Sequence, residues 1–116
     1  MGTRSQVHFI QSGVYLYQHW DGSLLPSRVQ SAISLNDRWD DEEYLTRIVF
    51  DSMKTETAQK TTGYGIGTTR HGDIEFLVEI DCIRQTVKVS SGFGDDMDMI
   101  WTGTFEEFAR SNQGDY

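Results

Sequence analysis

Residues 74–80 read Ile-Glu-Phe-Leu-Val-Glu-Ile, and this stretch decides the fold class. Its branched and aromatic residues recur at every second position, which is the period of a β-strand with one face in the core. The intervening positions hold Glu75, Leu77 and Glu79, so we expect the second face to be at least partly wet. A strand that is apolar on one side and polar on the other is typical of an antiparallel sheet.

A β-hairpin is predicted at the start of the chain. Residues 6–10 and 14–20 are rich in strand-forming residues, and Gln11-Ser12-Gly13 between them is a turn signal. Apolar and aromatic residues at neighbouring positions of the second strand indicate that it lies inside the sheet. The remaining predicted strands are residues 83–90 and 99–102, with a glycine-rich acidic loop at residues 92–98 between them.

Three helices are predicted from apolar spacing and from capping signals. Asp40 with Glu43 forms an acidic variant of the capping box, and Thr104 with Glu107 forms a second capping box. In each box the first residue accepts a hydrogen bond from the backbone of the fourth, which satisfies an N–H group at the helix start. The predicted helices are residues 26–35, 40–53 and 105–110.

This order of elements predicts an α+β fold, in which an antiparallel sheet of four to six strands carries two or three helices mainly on one face. The length of 116 residues fits a single domain over residues 1–116, with a tail at 112–116 that we expect to fray. The predicted core comprises Phe9, Leu16, Ile33, Leu45, Ile48, Val49, Phe76, Val78, Val87 and Phe108.

The charge of the chain restricts the partners that we expect. Its 18 acidic and 10 basic residues give a formal net charge of −8, which disfavours binding to a nucleic-acid backbone. The acidity is explained either by solubility or by a surface that imitates a polyanion and docks on a basic partner. The single cysteine, Cys82, favours a reducing compartment. We also expect no signal peptide, no membrane contact and a cytoplasmic location.

The segment Tyr17-Gln18-His19-Trp20-Asp21-Gly22 is the best candidate for a ligand site. It places an imidazole, an indole and a carboxylate at the end of a strand. Trp20 could stack on a base or another flat ligand, and His19 could exchange a proton near neutral pH. The alternative is structural, with Trp20 closing the edge of the core and Asp21 forming the turn.

The same segment, together with Met1-Gly2-Thr3-Arg4-Ser5, resembles a family of small uncharacterised bacteriophage proteins. Those proteins begin with the same five residues and carry a Tyr-x-His-Trp-Asp-Gly segment. The resemblance covers residues 1–25 and implies a viral origin, but no activity. It also implies one cluster of Thr3, Arg4, Ser5, His19, Trp20 and Asp21. With a turn near residue 12, Arg4 is expected opposite Trp20, within reach of Asp21 or an anionic ligand.

The other motifs are weaker. Gly63-x-Gly65-x-Gly67 could bring backbone close to a phosphate, but it lacks a P-loop lysine. Such glycines more often mark a bulge or a strand packed under an aromatic ring. Asp95-Asp96-x-Asp98 does not have the ligand spacing of an EF-hand. We therefore predict no metal, no cofactor and no catalytic residues, and a ligand site of Arg4, His19, Trp20 and Asp21.

Three functions remain open. The first is a non-catalytic accessory protein of phage type that binds a host component. As a counter-defence inhibitor, it would either mimic an anion in a basic nucleic-acid groove of a host protein or sequester a small nucleotide ligand. The second is a small nucleotide-acting hydrolase or transferase that uses His19 and Asp21 as acid and base. The third is a structural or assembly component, either of the virion or of a homo-oligomer.

Overall fold

The structure, a computed structural model, describes residues 3–54, 63–114 and 116. It confirms the predicted α+β fold. A short 3₁₀ turn at Gly22–Leu24 precedes the first α-helix. In chain order the elements are β1 (Ser5–Phe9), β2 (Tyr15–Gln18), α1 (Leu25–Ser34), α2 (Glu42–Met53), β3 (Tyr64–Gly67), β4 (Phe76–Asp81), β5 (Thr86–Phe93), β6 (Asp96–Thr104) and α3 (Phe105–Arg110).

The strands form a mixed sheet in the order β3-β2-β1-β4-β5-β6. Neighbouring strands are antiparallel, as predicted, with the exception of β1 and β4, which run parallel with Val7 beside Val78. A parallel pair needs a long crossover connection, and here the chain between β1 and β4 contains β2, β3 and two helices. The prediction that β2 lies inside the sheet is confirmed, since β1 and β3 flank it.

The register of the first hairpin differs by one residue from the predicted pairing. Ser5 pairs with Gln18 and His8 with Tyr15, whereas the prediction placed Ser5 opposite His19. The backbone N–H of Phe9 donates to the carbonyl of Val14, and the carbonyl of Phe9 accepts from the N–H of Gly13; each bond is 2.9 Å long. The loop of the hairpin is therefore residues 10–13. Because side chains alternate between the faces of a strand, one step of register changes which groups of the two strands lie beside each other.

The core lies between one face of the sheet and the helices. Val7, Leu16, Val78 and Val89 point toward it from four central strands. Nine of the ten predicted core residues are buried, whereas Ile48 is only partly buried and packs against the core from α2. The apolar spacing along α1 and α2 therefore identified the faces of these helices that meet the sheet.

Two capping predictions had different outcomes. Thr104 and Glu107 form the predicted box at the start of α3. The hydroxyl of Thr104 accepts a 3.1 Å hydrogen bond from the backbone N–H of Glu107, and the carboxylate of Glu107 accepts a 2.8 Å hydrogen bond from the backbone N–H of Thr104. In α2 the prediction was one residue too early, because the carboxylate of Asp41 accepts the hydrogen bond from the backbone of Tyr44. Consecutive acidic residues made the two starting points indistinguishable in sequence.

The loop predicted at residues 92–98 is instead the tip of the β5–β6 hairpin. Phe93 pairs with Asp96 across a two-residue turn, in which Gly94 has a φ of 61°. A left-handed residue suits such a turn, and glycine adopts that conformation at little cost. Asp96 and Asp98 of this segment therefore lie on β6, whereas Asp95 lies in the turn.

The last described residues contact the sheet. Gln113 is buried, and its side-chain oxygen accepts a 2.8 Å hydrogen bond from the hydroxyl of Tyr116, whose ring lies 6.1 Å from that of Phe76. None of the helices within the described residues has the length and apolar character to cross a bilayer.

Candidate functional site

The helices cover only one face of the sheet. On β1 and β2, Val7 and Leu16 point into the core, so the alternate side chains of Gln6, His8 and Tyr17 point to the opposite side. We call this uncovered side the open face. Most of the imidazole, phenol and amide side chains of the first hairpin lie on this face.

All three histidines of the chain meet two tyrosines on the open face. The His8 ring stacks on the Tyr15 ring at 4.1 Å with an interplanar angle of 4°, and the rings of His71 and Tyr17 lie 4.5 Å apart. Nδ1 of His19 lies 3.0 Å from the hydroxyl oxygen of Tyr17. We call these five residues the open-face cluster. Four of them are partly exposed and His71 is exposed, so their rings are accessible to a ligand.

The side-chain amide of Gln6 holds His71 in place. Its Nε2 donates a 3.1 Å hydrogen bond to the backbone oxygen of Thr69, and its Oε1 accepts a 2.9 Å hydrogen bond from the backbone N–H of His71. Gln6 is itself buried beneath this loop. Since both ends of the amide are used, Gln6 fixes the loop over the open face and acts as a positioning residue.

Charged groups surround Tyr17. Nε of Arg4 lies 3.3 Å from a carboxylate oxygen of Asp73. Burial raises the pKa of Tyr17, and the negative charge of Asp73 raises it further, while the charge and hydrogen bond of Arg4 act in the opposite direction. The phenol is therefore neutral at physiological pH. When its oxygen accepts from Arg4, its proton is available to Nδ1 of His19, and an imidazole that accepts at Nδ1 carries its N–H at Nε2.

A second charged group lies at the other end of the cluster. The carboxylate of Glu79 is 3.9 Å from Nδ1 of His8 and 3.7 Å from the ammonium of Lys88. The open face therefore carries charges of both signs, in contrast to the acidity of the chain as a whole. A protein with a net charge of −8 can present a locally balanced surface to an anionic ligand.

A small cavity of about 110 Å³ opens beside the two tyrosines. Strand β3 contributes Gly65 opposite Tyr17 and Gly67 opposite Tyr15, so neither of these two positions places a side chain in the space. The loop residues Thr69 and His71 border the opening. We call this cavity the glycine slot. Its walls are formed by Tyr15, Tyr17, Gly65, Gly67, Thr69 and His71, and Gln6 and Ile66 complete the lining.

A larger groove of about 470 Å³ lies where the end of α1 meets α2, lined by Leu35, Asp37, Arg47, Ile48, Asp51 and Ser52. The charges of Arg47 and Asp51 pair with each other across one helical turn. No ring lines this groove, and size alone does not make a binding site. The glycine slot is the better candidate because it combines aromatic walls with hydrogen-bonding groups.

The structure separates the four residues that the sequence predicted as one site. Arg4 and His19 both lie at Tyr17 on the open face. Trp20 instead packs on Gly63, where any added side chain would collide with the indole ring. Asp21 is exposed in the turn with a φ of 58°, and its carboxylate lies 3.8 Å from Arg28 of α1. The predicted contact between Arg4 and Asp21 is therefore wrong, because the two residues pair with Asp73 and Arg28 instead. The prediction that a glycine of this segment packs under an aromatic ring is confirmed at Gly63.

The remaining residues of the predicted cluster have backbone or core positions. The carbonyl of Thr3 accepts a 2.8 Å hydrogen bond from the backbone N–H of Gly22, which ties the start of β1 to the turn after β2. Ser5 is buried on the helix side of the sheet opposite Gln18. These two residues thus shape the end of the hairpin and do not belong to the open face.

Sequence reasoning missed His8, Tyr15, Tyr17 and His71. A signal for the first three exists, because Gln6 and His8 on one strand and Tyr15, Tyr17 and His19 on the next recur with the period of two of one strand face. No such signal exists for His71, which reaches Tyr17 through a loop more than fifty residues away in sequence.

Neither metal nor thiol chemistry is indicated by the described residues. They contain no group of three His, Cys, Asp or Glu side chains placed to hold a metal ion. Burial raises the pKa of Cys82 to about 12, with further contributions from the nearby carboxylates of Glu42, Asp81 and Asp41, so its thiol is inert at neutral pH. Comparisons with protein families, curated proteins and solved structures found no match to this chain.

Proposed function

We propose that this chain is a non-catalytic accessory protein of bacteriophage type that binds a small nucleotide ligand of the host on its open face. The observation that carries the proposal is the convergence of three histidines and two tyrosines on the uncovered face of the sheet. By sequestering such a ligand, the protein would act as a counter-defence inhibitor in the host cytoplasm.

Stacking and hydrogen bonding on the open face suit a nucleotide. Aromatic and imidazole rings offer flat surfaces for a base, and base–aromatic stacking contributes about 1–3 kcal/mol per base. Arg4 and His19 at one end of the cluster present N–H donors for phosphate oxygens. A long polyanion is disfavoured because the net charge of −8 would repel the segments outside the site.

Binding is favoured over catalysis by the chemistry around Tyr17. The hydrolase or transferase hypothesis relied on His19 and Asp21 as a pair, but His19 contacts Tyr17, whereas Asp21 lies beside Arg28 of α1. The hydroxyl of Tyr17 lies 3.0 Å from Nδ1 of His19, and burial raises the pKa of this phenol. A neutral phenol is a good hydrogen-bond donor and a poor nucleophile at physiological pH.

The test is to expose the purified protein to a small-molecule extract of host cells, wash it, release what is bound by heating and identify it by mass spectrometry. We expect a nucleotide that is returned unchanged by the wild type and is lost from Tyr17→Ala. Tyr44→Ala is the matched control, because Tyr44 is an exposed tyrosine on α2.

Other outcomes would contradict the proposal. Recovery of a chemically altered nucleotide would indicate an enzyme. Binding to a basic host protein that weakens steeply with salt, with no small molecule recovered, would favour the acidic mimic. Elution of the protein as a large assembly, again without a ligand, would favour a structural role.

A further inference from the structure

The glycines of the glycine slot are not explained by the backbone. Neither Gly65 nor Gly67 has a positive φ, so the strand conformation at both positions is open to any L-residue. Both lie in β3, where glycine weakens a strand because it adds no side chain to pack and loses more conformational freedom on folding.

Packing does not explain these glycines either. A Cβ atom built on Gly67 has no atom within 4 Å, and one built on Gly65 has only Cβ of Tyr17, at 3.9 Å. Gly63 in the same segment differs, because a Cβ there would collide with the ring of Trp20. The fold therefore requires a glycine at position 63 and leaves positions 65 and 67 free.

Omission of these two side chains leaves the flanks of two aromatic rings uncovered. In the register of β2 and β3, Tyr17 lies beside Gly65 and Tyr15 beside Gly67, so any side chain at either glycine would stand next to a tyrosine. The resulting space is small, with a volume of about 110 Å³. A slot of this volume accepts a small group and excludes a bulky one.

We infer that the glycine slot is the specificity-determining site for the heteroaromatic base of the ligand, an inference that rests on the proposed function. The base lies against the bare backbone of β3 and the flanks of Tyr15 and Tyr17. His71 and Thr69 at the opening bring an imidazole and a hydroxyl that can hydrogen-bond to a heteroaromatic ring, whereas a purely apolar ring offers them no partner.

The charges define the orientation of the ligand. Arg4 acts on Tyr17 through its charge and hydrogen bond, and His19 contacts the hydroxyl of Tyr17. The N–H donors that suit a phosphate therefore lie at the Tyr17 end of the slot, where Arg4 also pairs with Asp73. The anionic group therefore lies at that end, and the base extends toward Tyr15 and Gly67. Both parts of a nucleoside monophosphate contribute to binding in this arrangement, and the base selects the ligand.

The experiment uses AMP, adenosine and ribose 5-phosphate as probes, with affinities measured by calorimetry or by NMR titration. For the wild type we expect AMP to bind more tightly than adenosine, and ribose 5-phosphate to bind weakest. Gly67→Val, which fills the slot, should weaken AMP binding at least about tenfold and abolish adenosine binding, while ribose 5-phosphate is unaffected. Gly67→Ala, which adds one carbon atom, should have an intermediate effect.

Two controls separate binding from folding. Gly72→Ala changes a glycine on the neighbouring loop that also has no atom within 4 Å of a built Cβ, and it should leave all three affinities unchanged. The thermal midpoint of Gly67→Val should equal or exceed that of the wild type, because valine favours a strand.

Unchanged AMP affinity in Gly67→Val, with the affinity lost in Tyr17→Ala, would overturn the slot and leave the proposed function standing. Ribose 5-phosphate binding as tight as AMP would also overturn the slot, because the base would then contribute nothing. A wild type that binds none of the probes and recovers no nucleotide from host extract would overturn both proposals.

Discussion

Replacement of Gln6 by methionine is expected to release the loop that carries His71. Methionine has nearly the shape of glutamine but no amide, so the change removes two hydrogen bonds and leaves little cavity. Those bonds are 3.1 Å to the backbone oxygen of Thr69 and 2.9 Å from the backbone N–H of His71. A net contribution of about 0.5–1.5 kcal/mol for each bond gives a loss of about 1–3 kcal/mol in the free energy of unfolding.

The loss should be largest in the loop itself, which can be measured by hydrogen exchange. We expect the amide of His71 to exchange at least about fivefold faster in Gln6→Met, since 1.4 kcal/mol corresponds to a factor of ten. Urea denaturation would measure the change in global stability, and the slope of the transition would show whether unfolding remains two-state.

Gln18→Met is the matched control. Gln18 is also buried, and its Nε2 donates two hydrogen bonds, of 2.7 Å and 3.0 Å, to the backbone oxygens of Trp20 and Asp21. Its removal should cost a similar amount of global stability without a selective effect on the amide of His71. A loss below about 0.5 kcal/mol in Gln6→Met, together with unchanged exchange at His71, would refute the role of Gln6 as the anchor of the loop.

Three further predictions concern the rest of the fold. The thiol of Cys82, with a pKa of about 12 against an ordinary 9.0, should react with iodoacetamide at pH 8 about 1,000-fold more slowly in the folded protein than in urea; a ratio under about ten would contradict its burial. Hydrogen bonds, of which that from the backbone N–H of Arg84 is the largest cause, lower the pKa of Asp81. The charged carboxylate therefore stabilises the fold above its unfolded pKa, and this stabilisation is lost as the pH falls through the lowered folded pKa. We expect Asp81→Asn to destabilise the protein at pH 7 and much less at pH 3, measured as the shift in the urea midpoint. Phe108→Ala, at a fully buried site, should cost about 3–5 kcal/mol and Ile48→Ala, at a half-buried one, about 1–2 kcal/mol; equal losses in urea melts would contradict the assigned faces.

Local signals in the sequence identified the elements of the fold better than their arrangement. The capping box at Thr104 and the alternation around Phe76 depend on residues within one turn or one strand, and both predictions are confirmed. The parallel pair of β1 and β4 depends on which strand occupies the space beside β1 after the helices have packed. No local pattern contains that information, so the sequence predicted an antiparallel sheet throughout.

The candidate site shows the same limit at finer scale. A turn predicted around residue 12 places Arg4 opposite Trp20, but closure of the hairpin by Phe9 and Val14 moves the pairing by one residue. Two of the four predicted residues, Arg4 and His19, still lie on the open face. Trp20 was assigned to the ligand because an indole at a strand end suits both stacking and packing, and only the position of Gly63 distinguishes these roles.

The strand order has a consequence for how the protein is made. β1 leaves the ribosome before β4, which is one of its two neighbours and follows about 70 residues later; this interval takes roughly 4–14 s at the usual rate of translation. An isolated two-stranded hairpin is marginally stable, so during this interval β1 presents an unpaired edge with Val7 and Phe9 uncovered. If the ribosome stalls before residue 81, β1 therefore keeps an unpaired apolar edge. We expect chaperones to bind this nascent chain, or nascent chains to associate with one another, through that edge.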